Sequence, residues 1–345
     1  MDQVNRQALL DVLTSVLPGL AKKELVPNST CFVFKKGIVT TYNDSVSIRT
    51  RCPIEATFAV PAKPFYNLIS KLPDEVLEWE LRDNEFFIKA AKGGRSGVKT
   101  KADAKLPVSE LGDPGAWTEL PPDFSAGLKI AAITTVEESS RPQLSYIQVK
   151  GDRLNSTDAK RITSYTMDSE APDMMVPAAV VDSLSKYELA ACGNTKGWLH
   201  FKTKSNAVFS CRTAHPDTKF PDISAHLKID GVELKLPSDL KDILDRASVF
   251  SSEVEKLSAV NFLVVDEKMT IKGKGPSGWF KKTKKAPGAT PVEFDINVDF
   301  LKHIIGQTES VFVSDKTVAF KAGKVQAVMA LVARKAKQEV EGEAE

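Results

Sequence analysis

The residues of this chain best suited to chemistry are four histidines, His200, His215, His226 and His303, and four cysteines, Cys31, Cys52, Cys192 and Cys211. No histidine begins a metal-ligand spacing and no Cys-x-x-Cys pair occurs. The histidines therefore read as surface or hydrogen-bonded core groups, and the cysteines as reduced core or strand residues. No metal, cofactor or disulfide framework is implied. Neither Gly-x-x-x-x-Gly-Lys-Ser/Thr nor Gly-x-Ser-x-Gly appears, so a phosphate-cradling loop and a serine nucleophile both lack their scaffold. Carboxylates such as Asp158 and Asp299 could supply an acid and a base to an α+β enzyme with an interdomain site, a reading that a turnover assay on nucleotides or DNA would separate from the others. Two basic stretches could touch phosphate. Lys92-Gly93-Gly94-Arg95-Ser96-Gly97 follows a strand with no helix after it and reads as an edge loop. Trp279-Phe280-Lys281-Lys282 joins stacking groups to cations and could grip nucleic acid, or act as a partner loop. It falls within a Gly-, Lys- and Pro-rich stretch, Gly273 to Pro287, that reads as an insertion unmatched elsewhere in the chain.

The elements that would position these residues repeat. Val60-Pro61, Val176-Pro177 and Ile296-Asn297 recur at spacings of about 116 and 120 residues, each followed by matching apolar positions: Phe65, Val181 and Leu301, then Leu68, Leu184 and Ile304. A period this long indicates duplicated domains, since solenoid repeats run at roughly 20 to 50 residues. Each copy opens with an amphipathic helix: Leu9, Leu13, Val16, Leu17 and Leu20, ending in Lys22 and Lys23; Phe124, Leu128 and Ala131; and Leu240, Leu244 and Ala247 after a Pro237-Ser238 cap. Hairpins follow around Lys35-Lys36-Gly37, around Lys150-Gly151-Asp152 and between Val264 and Met269. After the second helix, which in the last copy should run through Ile305, further strands are expected at 76–81 and 86–90, at 198–202 and 208–212, and at 310–314, 318–322 and 325–332. Gly112, Pro114, Gly115, Pro121 and Pro122 punctuate the first boundary. The expected domains are 1–117, 118–229 and 230–335, with a charged, aperiodic and disordered tail at 336–345.

A chain of 345 residues with 42% hydrophobic content can fill two or three cores. Its net charge of +2 gives no overall signal for a polyanionic partner, so any basic surface must be local. No apolar run reaches about 18 residues and no signal-peptide pattern opens the chain, which predicts a cytosolic protein without a membrane partner.

Helix, hairpin, helix and hairpin in each copy make an α+β unit with its helices on one face of an antiparallel sheet. Within that frame stand Val60-Pro61-Ala62 with Phe65, and Phe220-Pro221-Asp222. Thr157-Asp158-Ala159-Lys160-Arg161-Ile162 stands where one family has Thr-Asp-Gly-His-Arg-Leu, and Asn297-Val298-Asp299-Phe300-Leu301 follows. In this order the chain resembles, over residues 1–335, the bacterial replicative sliding clamps, the DNA polymerase III β subunit family.

The resemblance implies three DNA-clamp domains and a head-to-tail homodimer closing into a ring whose helices line a pore. Such a ring encircles double-stranded DNA without reading sequence and is itself no enzyme. It serves as a processivity factor for the replicative polymerase, with a clamp loader and other clamp-binding-motif proteins as further partners. Lys22, Lys23, Lys71, Lys129, Lys186, Lys241, Arg246 and Lys302 are the candidate DNA-facing cations. Val98 and Thr100 should meet Val249 and Phe250 at the dimer contact. A pocket between the second and third domains, taking a short Gln- and Leu/Phe-containing peptide, carries over to Thr157, Lys160, Arg161, Ile162, Phe220, Pro221, Leu257, Asn297, Phe300, Met329 and Leu331. Ala159, Lys160 and His226 depart from the family pattern, which implies a different peptide preference.

Overall fold

The computed structural model describes residues 1–92, 94–137, 140–251, 259–302 and 305–333; Leu257, His303, Ile304 and the tail at 336–345 lie outside them. The chain divides into two compact units. One comprises Met1–Lys129, Ser145–Asp152 and Met167–Lys219, the other Ile130–Leu144, Arg153–Thr166 and the chain from Phe220 onward.

In the first unit one motif is used twice: strand Asp2–Asn5, helix α1 (Arg6–Val16) and strands Cys31–Lys35, Ile38–Tyr42 and Val46–Arg51; then strand Phe58–Pro61, helix α2 (Ala62–Lys71) and strands Val76–Arg82, Glu85–Ala90 and Gly94–Lys99. Asn5 caps α1 by accepting the Ala8 N–H at 2.9 Å, and Leu9, Leu13 and Val16 face the core. Pro18 ends the helix in a single 3₁₀ turn, so Lys22 and Lys23 lie in a bend beyond the helix and not on its end. The two-residue hairpin turns need positive φ, and Lys36-Gly37 (50° and 74°) and Asp83-Asn84 (49° and 60°) supply it. Strand Val46–Arg51 is not among those expected from the sequence pattern. It pairs with Val208–Arg212, Ile48 opposite Phe209 and Val46 opposite Cys211, and so fuses two half-sheets into one of eight strands. Phe34 stacks on Phe58 at 4.6 Å, and Phe86 on Trp79 at 5.1 Å, filling the space between sheet and α2.

Helix α3 (Phe124–Ala132) opens the second copy, with Phe124, Leu128 and Ala131 buried. Strands Tyr146–Thr157 and Arg161–Pro177 follow. Gly151, at φ 58°, marks the place where the sequence puts a turn, although the extended run is continuous there. After Pro177 the helix is brief, a 3₁₀ turn and α4 (Val181–Leu184), leaving Lys186 in the turn behind it. Strand Leu189–Thr195, also outside the expected set, pairs with Trp198–Thr203.

The second unit holds the third copy: Val232–Lys235, helix α5 (Leu240–Ser251), Ala259–Val265, Lys268–Gly275, Gly278–Lys285, Val292–Asn297, helix α6 (Val298–Lys302), Ser310–Val313, Thr317–Ala322 and Val325–Ala330. The stretch expected to be an inserted loop, Gly273 to Pro287, is instead mostly sheet. Gly278–Lys285 is the counterpart of Val46–Arg51 in a sheet of the same strand order. Its glycines serve close approach of the helix. A Cβ on Gly273 would stand 2.1 Å from the Ala247 carbonyl oxygen, and one on Gly278 would stand 2.8 Å from the Phe250 ring. Gly94–Lys99, likewise expected to be an edge loop, is an edge strand paired with Glu85–Ala90.

Candidate functional site

A groove of about 590 Å³ opens on the second unit. Its floor and walls include Thr157, Ala159, Lys160 and Ile162 at the turn between two long strands, Pro221, Ile223 and His226 on the loop from Phe220, Val328 and Ala330 on the last strand, and Leu144 and Thr317 from two further segments. Arg161 pairs with Met329 and Ile162 with Val328 in antiparallel register, which joins the strand of the second copy to the sheet of the third. The turn is held by its own side chains. Thr157 Oγ1 donates to the Arg161 carbonyl at 2.7 Å, and Asp158 Oδ1 accepts the backbone N–H groups of Lys160 at 2.9 Å and Arg161 at 2.6 Å. Ala159 sits at φ 70°, a left-handed conformation that favours glycine. The family pattern has glycine there.

Strand alternation divides the candidate peptide residues between two faces. Thr157, Lys160, Ile162 and Pro221 line the groove. Arg161, Phe300 and Met329 line a separate slot of about 20 Å³, together with Ile130, Ile133 and Phe320, and Ile162 touches both spaces. Arg161 is fixed there: Nε meets Asp158 Oδ2 at 2.8 Å, with both side chains nearly buried, and its guanidinium lies 4.6 Å from the Phe300 ring centre. Phe220, Asn297 and Leu331 line neither space. Asn297 is buried, its Oδ1 accepting the Asp299 N–H at 2.8 Å at the start of α6, while Leu331 is half-buried with its N–H on the Lys316 carbonyl at 2.8 Å. Leu257 is outside the described residues. Leu144, Ile223, Val328 and Ala330 are groove residues that the motifs do not mark, although a period of two counted back from Ala330 finds Val328 in place of Met329.

The candidate cations are exposed at Lys71, Lys129, Lys241 and Arg246, and the Lys22, Lys23 and Lys186 side chains are exposed outside the helices. Lys302 is held by Asp245 at 2.8 Å, and this contact keeps the Asp245 carboxyl below the usual carboxylate range. Arg246 Nε donates to the Asp242 carbonyl at 2.9 Å. Of the candidate dimer residues, Val98 lies on the edge strand Gly94–Lys99 opposite Phe86, and Thr100 follows it. Val249 is 61% exposed on α5, and Phe250 packs toward Gly278 on the other edge strand.

The cysteines, His200 and Asp158 are tied into structure, whereas His215 and His226 are exposed. All four cysteines are buried, and burial pushes the thiols of Cys52 and Cys192 up to about 11 and that of Cys211 up to about 12, away from the reactive thiolate. His200 is buried between Thr195 and Ser210, at 3.0 and 2.8 Å, and its pKa is lowered first by burial and then by Arg49. Asp158 is engaged by the turn and by Arg161. Among the described residues no cluster of three or more His, Cys, Asp or Glu side chains could hold a metal ion, and no helix is long and apolar enough to cross a membrane.

No protein-family model matches the chain, and no curated protein matches it. Solved structures do. A sliding clamp (DNA polymerase III subunit beta) from Pseudomonas aeruginosa superposes with a TM-score of 0.83 at 17% identity, covering 96% of this chain and 99% of that one. The DNA polymerase III beta chain from Streptococcus pneumoniae gives 0.83 at 16%, and the sliding clamp from Bartonella birtlesii 0.82 at 18%, with the same coverage. The chain has the sliding-clamp fold, an α+β architecture of three repeated domains.

Proposed function

We propose that the chain is a sliding clamp, a processivity factor that closes as a homodimeric ring around duplex DNA and tethers the replicative polymerase and other enzymes by short peptides seated in the groove. It would work in the cytoplasm with a clamp loader and carry out no chemistry of its own. The observation that carries the reading is how the chain joins its own repeats. In each internal seam an outer strand, Val46–Arg51 or the segment Arg161 to Tyr165, pairs antiparallel with the last strand of the next copy, Val208–Arg212 or Val325–Ala330. Gly278–Lys285 and Gly94–Lys99 are the corresponding outer and last strands, and both stand at sheet edges. A second copy placed head to tail would satisfy both of these edges by the same rule.

The full-length likeness to clamps supports the same reading, as do the apolar and polar residues lining the groove. The domains would divide near 117 and 229. The helix cations Lys71, Lys129, Lys241 and Arg246 would meet phosphate loosely, with Lys22, Lys23 and Lys186 beside them; Lys302, held by Asp245, would contribute less. The test is retention on DNA. After loading on a nicked circle, the protein should remain through a high-salt wash that strips charge-held proteins, and be lost when the circle is linearised. Equal loss from circle and linear DNA would remove the ring from consideration.

A further inference from the structure

Strands Lys268–Gly275 and Gly278–Lys285 form a hairpin whose two faces differ sharply in charge pairing. On the helix side, Lys284 meets Asp239 at 2.7 Å, and Phe280 lies under Arg246 at 5.7 Å. The opposite side carries Lys268 against Lys285 and Lys272 against Lys281 as direct cross-strand partners, with Lys274 against Trp279. Among the described residues these five lysines make no ion pair. Two carboxylates of that sheet face, Glu293 and Asp295, stand two strands away from Lys272 and accept from Asn261 Nδ2 at 3.2 and 2.9 Å, while Glu267 in the turn beside Lys268 accepts the Gly288 N–H at 3.4 Å. Trp279 is 64% exposed beside them. Like charges directly opposite one another in a sheet are destabilising, and a large exposed indole gains nothing from water. Both features are relieved together by one kind of ligand, a polyanion that also offers flat apolar faces.

We propose that this outer sheet face is a single-stranded nucleic-acid binding surface, in which Trp279 stacks on an unpaired base while Lys272, Lys281 and Lys285 follow the phosphates. A duplex offers the phosphates but keeps its bases stacked on one another, so only the single strand uses the indole. Its residues are neither the helix cations assigned to encircled duplex nor those lining the peptide groove, and because Gly278–Lys285 is also the edge assigned to the contact between copies, the side chains that bind are the ones pointing away from the helix side.

The experiment is fluorescence anisotropy with labelled oligo-dT of about 20 nucleotides and a blunt duplex of the same length, both too short and open-ended to be retained by a ring. Trp279→Ala should weaken oligo-dT binding about tenfold, within the range of one lost base stack, change duplex binding less than about twofold, and be rescued by Trp279→Phe. The triple variant Lys272→Ala, Lys281→Ala, Lys285→Ala should weaken both and reduce the salt slope for the single strand by about 2. Lys241→Ala with Arg246→Ala should leave oligo-dT binding unchanged. Unchanged affinity in Trp279→Ala, or equal losses on single strand and duplex, would overturn the proposal. So would displacement of oligo-dT by a peptide spanning Glu339 to Glu345 at a similar concentration, which would make the face a site for acidic peptide.

Discussion

The seam between Val46–Arg51 and Val208–Arg212 and the open edge at Gly278–Lys285 occupy equivalent places in the repeat, yet they are built from opposite residues. At the seam Val46, Ile48, Phe209 and Cys211 are all buried. The open edge reads Gly-Trp-Phe-Lys-Lys-Thr-Lys-Lys, and the other one, Gly94–Lys99, reads Gly-Arg-Ser-Gly-Val-Lys. A permanent junction can use apolar side chains because they never meet water. An open edge must be kept from pairing with the wrong strand, and lysine does this. These two open edges are both basic, so the proposed contact between copies should be weaker at low salt and firmer as screening rises.

The largest way to break this contrast is at the seam. Phe209→Ala removes a fully buried ring that meets Tyr187 edge-on at 5.7 Å, and it should cost about 3 to 5 kcal/mol in chemical denaturation. Lys281→Ala on the open edge should change stability by no more than about 0.5 kcal/mol. Equal effects would mean that the edge contributes to the folded chain as much as the seam does.

The open edge is tested next by Phe250→Asp. In the proposed dimer, burying this ring between copies would contribute on the order of 2 kcal/mol, and a buried charge would add to the loss. Native mass should therefore change from dimer to monomer while the melting profile persists. A wild type that is monomeric at micromolar concentration without a loader would place closure elsewhere.

The seam of the second unit carries the groove, so its two faces can be compared directly. A Gln-Leu-x-Leu-Phe peptide should bind at micromolar strength, about 8 kcal/mol. Ile162→Ala, or Val328→Trp filling the groove, should weaken it at least tenfold, while Phe300→Ala on the slot side should leave it within about twofold. Titration with a labelled peptide decides this; a loss in Phe300→Ala alone would move the site to the slot. The smallest effect lies at the turn feeding that seam. Ala159→Gly relieves a left-handed alanine and should stabilise the protein by about 1 kcal/mol, measured as a shift in denaturation midpoint at unchanged slope.

The threefold repeat, the opening helix of each copy and most hairpin strands are legible in the residues alone. Apolar periodicity and turn residues are local, so Leu9, Leu13 and Val16, or Lys36-Gly37, need no distant partner to be recognised. The Thr157 to Ile162 turn is legible for the same reason, because its Thr, Asp and left-handed position form one short hydrogen-bonded word. Other features exist only once the chain has packed. Glycines at Gly273 and Gly278 read as loop punctuation until α5 is seen to press on them, because close approach of a helix leaves no trace in the neighbouring residues. The same holds for Val328 against Met329. Both are apolar and adjacent, and only the register with Arg161 and Ile162 settles which side chain faces the groove and which faces the slot. The pairing of Val46–Arg51 with Val208–Arg212 spans a separation in sequence that no window reads, and it is this long-range pairing that joins the first and second copies in one eight-stranded sheet.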